Sequence, residues 1–136
     1  MLILGLVIDA LIRLIYKDNA TPANYSKDIP GQSFINRLPT ELGENLICFV
    51  MEDHYLLAYT NKGNHMILMR MKDALIELKN YNGMQVHRSY WIAIDAVANV
   101  KKQSRKTILT MKNGIEIPVS RKYLVAIKEA GLLGSL

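Results

Sequence analysis

The chain has 136 residues, half of them apolar and about a fifth charged, which suits one folded domain and excludes a disordered chain. Its single cysteine, Cys48, excludes an intrachain disulfide, and three histidines at unrelated spacings give no metal site. The net charge of +5 is uneven: residues 1–37 carry four Lys/Arg against three Asp/Glu, residues 38–83 four against six, and residues 84–136 nine against three. A basic half of this kind points to a polyanionic partner, although a basic surface alone does not name one.

Residues 1–16, MLILGLVIDALIRLIY, are the most apolar stretch and predict a helix on which Asp9 and Arg13, four apart, share a face. A membrane span needs about 20 apolar residues, so this stretch is short and twice charged. It also lacks the basic start and small-residue cleavage site of a signal peptide. Three readings stand: the last part of a membrane anchor, a helix that lies on a membrane surface or pairs with a second copy, or a helix packed on the domain. Residues 17–37, with Pro22, Pro30, Gly31 and many Asn, Ser and Asp, read as a linker. A domain over residues 38–133 follows, entered between Pro39 and Gly43.

From residue 45 the pattern is that of short strands. Leu46 to Met51 is an apolar run with Cys48 as a small buried hydrophobe. Tyr55 to Thr60 and His65 to Met69 flank the turn Asn61-Lys62-Gly63. Residues 70–80 switch to helical spacing, with Met71, Ala74, Leu75 and Leu78 on one face. Met84 to Arg88 and Trp91 to Ile94 are short strands. Ala96 to Lys101 and Thr107 to Met111 form a hairpin around Lys102 to Lys106, and Asn113-Gly114 turns into Ile115 to Val119. Ser120 is a candidate N-cap for a last helix with Tyr123, Leu124 and Ile127 on its apolar side, stopped at Gly131. The expected fold is mostly β with short α-helices, preceded by the apolar N-terminal helix.

No phosphate-binding Gly-rich motif occurs, and Ser89 and Ser120 lack the glycine context of a nucleophile elbow. Glu52, Asp53 and His54 could suit acid–base work, but adjacent strand residues alternate faces and do not converge merely by being neighbours. The expectation is a protein that is not an enzyme and carries no cofactor and no metal.

Reading base edges in duplex DNA calls for long or planar donors at element ends that can reach a groove. Three clusters qualify: His54 between two strands, His87-Arg88-Ser89 at a strand end, and Ser120-Arg121-Lys122 before the last helix. Helix-start N–H groups at Ser120 would also suit a phosphate. Lys101, Lys102, Arg105 and Lys106 form a hairpin tip fit for phosphate contact. Each has a bland alternative. His54 could be only a turn residue, Arg88 could pair with Glu52 or Asp53, Arg121 could cap or pair locally, and the lysine-rich tip could be a solvated turn.

The ordered set is more specific than its parts. V-H-R-S at 86–89, the charged hairpin, and N-G-x-x-I-P-V-S-R at 113–121 resemble the LytTR-type DNA-binding domain of bacterial transcriptional regulators. E-D-H-Y at 52–55 and R-x-x-D-A-L-x-E-L at 70–78 complete the pattern in order, so the resemblance covers essentially all of residues 38–133. It implies a small set of β-sheets whose loops enter successive major grooves. It implies base contacts at His54, Arg88 and Arg121, and phosphate contacts at Ser89 and Lys122. It further implies binding as pairs on repeated sites, hence a second copy as partner on DNA. Family members most often follow a receiver domain, which cannot fit within 37 residues; some carry membrane segments instead. The expected protein is thus a sequence-specific DNA-binding transcriptional regulator, cytoplasmic, with residues 1–16 a candidate tether to the inner face of the membrane. The alternative is a membrane-tethered protein-interaction module that binds DNA weakly or not at all.

Overall fold

A computed structural model describes residues 31–133. Eight strands form two antiparallel sheets. The first holds β1 (Leu46–Glu52), β2 (Tyr55–Thr60), β3 (Gly63–Leu68), β4 (Gly83–His87) and β5 (Tyr90–Ala93), in the order β3-β2-β1-β5-β4. The second holds β6 (Val97–Gln103), β7 (Lys106–Met111) and β8 (Glu116–Val119), in chain order. Among the described residues three short α-helices accompany them: α1 (Gln32–Ile35), α2 (Met71–Glu77) and α3 (Leu124–Glu129). Among the described residues no helix is long and apolar enough to cross a membrane.

Alternation sets which side chains are buried. Leu56, Ala58 and Thr60 on β2, and Thr107, Leu109 and Met111 on β7, point into the core at every second position. The register aligns Val100, Leu109 and Ile117 as one buried row across the second sheet. In the first sheet Phe49 stacks on Trp91, its cross-strand partner, at 5.4 Å. Phe34 of α1 also stacks on Phe49, at 5.8 Å, and Tyr81 tilts against Trp91 at 5.7 Å. Gly83 lets β4 lie close to this stack, since a Cβ there would fall 2.1 Å from the Trp91 ring. Cys48 is buried, and burial pushes its thiol up to about 12.

The architecture is the mostly β fold with short helices that the sequence predicts, with several corrections. The segment read as linker over 17–37 contributes to the core at its end: Phe34 and Ile35 are buried, and Arg37 holds Glu77 of α2 through two hydrogen bonds of 3.0 and 2.7 Å. Residues 1–16, and the linker as far as residue 30, lie outside the described residues. The first hairpin turns on Asn61-Lys62 alone, because Gly63 already pairs with Thr60. The basic hairpin is longer than expected. Lys102 and Lys106 lie in strands, and the turn is Ser104-Arg105, with Ser104 at φ 58°. Helix α2 is shorter than its apolar spacing suggests, ending at Glu77.

Candidate nucleic-acid interface

Strand register determines which turns meet. Glu52 pairs with Tyr55, Tyr55 with Leu68, Val50 with Tyr90, and Tyr90 with His87. The turns at Asp53-His54 and Arg88-Ser89, and the exit of β3 toward Arg70, therefore lie at one end of the first sheet. Two backbone hydrogen bonds fix the arrangement. The Met51 N–H donates to the Ser89 carbonyl oxygen at 2.8 Å, joining the first two turns. The Ser120 N–H donates to the Val86 carbonyl oxygen at 3.0 Å, bringing the end of β8, and with it Arg121, to the same end. His54, Arg88 and Arg121, some 30 residues apart in sequence from one to the next, thus sit on turns of one connected end of the fold.

The turns are held from within. The Ser89 N–H donates to His87 Nδ1 at 3.1 Å, so Nδ1 carries no proton and the imidazole proton sits on Nε2. The Gln85 side-chain amide donates to the His87 carbonyl oxygen at 3.2 Å, and the His87 ring meets Tyr90 edge-on at 5.3 Å. His87 is therefore the brace of the turn that presents Arg88. Asp53 adopts a left-handed conformation, φ 54°, which Asp tolerates better than most residues and which tightens the turn carrying His54.

His54, Arg88, Arg121 and Lys122 are exposed, and Ser89 is half-buried. Among the described residues neither Arg88 nor Arg121 meets a carboxylate, so Arg88 does not pair with Glu52 or Asp53. Lys122 Nζ lies 5.6 Å above the Tyr123 ring. Lys102, Arg105 and Lys106 are exposed at the hairpin tip, and because Thr107 pairs with Val119 this tip lies toward the Ser120 end of its sheet. Lys101 differs: its ammonium sits 2.6 Å from the carboxylate of Glu116 of β8 and pairs with it. Ser120 occupies the expected cap position of a 3-10 turn, Arg121–Tyr123, but makes no side-chain cap bond there. Its N–H is taken by Val86 and is not open to a phosphate.

One residue at this end was not singled out from the sequence. Arg70 lines the same open cleft as Asp53 and His54, about 560 Å³ in volume, and bonds Asp73 at 3.1 Å. Only the pairing of Tyr55 with Leu68 reveals its place. Glu52 is outside that cleft wall, so the three neighbours Glu52, Asp53 and His54 do not form one acid–base pocket.

Antiparallel sheets that carry basic turns at one end, followed among the described residues by a six-residue helix, define a small β domain. The family model of the LytTr DNA-binding domain matches residues 42–131, and the chain belongs to this family of DNA-binding regulators. Among solved structures the chain is similar to the LytTr DNA-binding domain of a protein from Bacillus cereus described as a methyl-accepting/DNA response regulator. The TM-score is 0.57 at 15% identity, over 63% of this chain and 80% of that one. That likeness supports the fold. No curated protein matches the chain.

Proposed function

We propose that this domain reads duplex DNA sequence through the three turns gathered at one end of its fold. His54, Arg88 and Arg121 are the base readers. Arg88 and Arg121 carry planar, permanently charged donors that can fork onto the O6 and N7 atoms of guanine in a major groove. His54 offers an imidazole ring without the fork of a guanidinium and is the weaker reader. Ser89, Lys122 and the tip residues Lys102, Arg105 and Lys106 hold phosphates, while Lys101 contributes less because Glu116 already engages it. The observation that carries this is the pair of hydrogen bonds, Met51 to Ser89 and Ser120 to Val86, which joins the turns into one surface.

Two copies on repeated sites would double that surface without new contacts within the chain. The apolar residues 1–16 would serve as a membrane contact or pairing helix that tethers or couples the reader. The test is selection of bound sequences from a random duplex pool, followed by a salt titration on the selected and on a random duplex. A recovered motif, tighter binding to it and a steep salt slope are expected. Recovery of no motif, with equal affinity for both duplexes, overturns sequence reading. A flat salt slope overturns DNA binding as such.

A further inference from the structure

Four strands form the edges of the two sheets, and three of them are guarded against further pairing. The β4 edge meets the second sheet, where the Ser120 N–H donates to the Val86 carbonyl oxygen. β6 carries Lys101 and Lys102, and β8 carries Glu116 and Pro118. Charge and proline are what keep open edges from pairing with other chains. The fourth edge is β3, six residues with no Asp, Glu, Lys, Arg or Pro. Among the described residues no backbone bond from outside its own sheet reaches Asn64 to Leu68.

This strand is also apolar on its outer face. Tyr55 pairs with Leu68 and Leu57 with Met66, and opposed residues of an antiparallel pair share a face. Ile67 and its partner Leu56 point the other way, into the core. Tyr55, Met66 and Leu68 are 45%, 48% and 71% exposed. Ile76 of α2, also exposed, shares a small cleft with Leu68, so the apolar surface continues around the edge. Contiguous exposed apolar surface beside an unguarded edge marks a place for another strand.

Charge names the occupant. In a two-fold antiparallel pairing each residue meets its own counterpart or a near neighbour, so a charged strand would meet its like. β3 has no such charge and is complementary to itself. We propose that β3 pairs with β3 of a second copy, antiparallel, about a two-fold axis normal to the sheet and centred on Met66. Five strands from each copy then form one sheet. The axis keeps both outer faces on one side, sets Met66 against Met66 and puts Leu68 diagonal to it. Because the paired strands run in opposite directions, the two ends that carry His54 and Arg88 face apart. On the DNA reading above, one dimer holds two separate duplex segments.

The experiment is sedimentation of the full chain without DNA, so its result is independent of the DNA reading. A reversible dimer is expected. Met66→Lys and Met66→Glu should each raise its dissociation constant by about tenfold or more, since like charges meet across the axis. An equimolar mixture of the two variants should recover the dimer, because opposite charges then meet. Leu68→Lys, at the more exposed neighbour, should weaken the dimer as well. Both side chains are exposed, so melting curves should show the variants folded. Three results overturn the proposal: a monomeric wild type, no recovery in the mixture, or a dimer unchanged in Met66→Lys and Leu68→Lys, as pairing through residues 1–16 would give.

Discussion

The Ser120 N–H and the Val86 carbonyl oxygen meet across 3.0 Å, and this bond connects the second sheet to the edge strand of the first just where Arg121 and Arg88 emerge. Val86 is fully buried, so its carbonyl has little access to water as a substitute partner. The Ser120 side chain caps nothing in this geometry. Removing the N–H and removing the hydroxyl should therefore have different consequences. Ser120 has φ −79° and ψ 153°, a conformation proline accepts. Ser120→Pro should destabilise the domain by about 1–3 kcal/mol, the cost of an unpaired buried acceptor. It should also weaken DNA binding beyond the loss of folded protein. Ser120→Ala should stay close to wild type in melting temperature. Equal melting temperatures for the two variants would show that the bond does not hold the sheets.

Phe34 is fully buried and stacks on Phe49. Phe34→Ala should cost about 3–5 kcal/mol, the range for removing a buried aromatic side chain. A chain beginning at Leu38 should melt well below the full chain, because it loses Phe34, Ile35 and the Arg37–Glu77 pair. Urea melts of both proteins check this. An unchanged midpoint would return α1 to the status of a linker.

Cys48 should resist thiol reagents in the folded protein and react fully in denaturant, since its thiolate is disfavoured by burial. The thiol ionises at about 12 when folded, against 9.0 ordinarily. Protonated Cys48 is thus favoured by the native state. Its contribution to stability is fully present below pH 9.0 and is lost as the pH rises toward about 12. Cys48→Ala should show a smaller alkaline loss of stability than wild type, measured by denaturant melts across that window. An equal loss in both would assign the alkaline effect elsewhere, for instance to Tyr59 and Tyr81, whose phenols burial also raises.

Much of the fold was legible because its signals are local. Alternating Leu56, Ala58 and Thr60, followed by Asn61, specify a strand and its turn. Asn113-Gly114 specifies another, and the Asn113 side chain accepts the Ile115 N–H at 3.2 Å there. What was missed depends on distant pairing. Helix α1 is four residues, too short to show a period, and it follows Pro30-Gly31, which reads as loop. Lys101 and Glu116 meet across a strand that separates them, so their pairing needs the order of the second sheet. The candidate readers were legible as donors at element ends. That their turns share one end was not, because β1 pairs with β5, some 40 residues later in the chain.

Phosphate contacts should be visible in the salt dependence. Each neutralised phosphate contributes about 0.9 to the log–log slope of affinity against salt on duplex DNA. Lys122→Ala should weaken binding about equally on all sequences and make the slope shallower by nearly that amount. Glu116→Gln should strengthen binding slightly, because it releases Lys101 from its partner. An unchanged slope in Lys122→Ala would remove that lysine from the phosphate contacts.

Binding of Arg88→Ala and Arg121→Ala to a selected duplex and to a random one, each with a melting curve, tests base reading most directly. Each substitution should cost about 1–3 kcal/mol on the selected site and much less on random duplex. His54→Ala should follow the same pattern more mildly. Melting temperatures should hold, since neither arginine meets a carboxylate among the described residues. Equal losses on both duplexes for both arginines would contradict base reading by these turns and leave them as general DNA contacts.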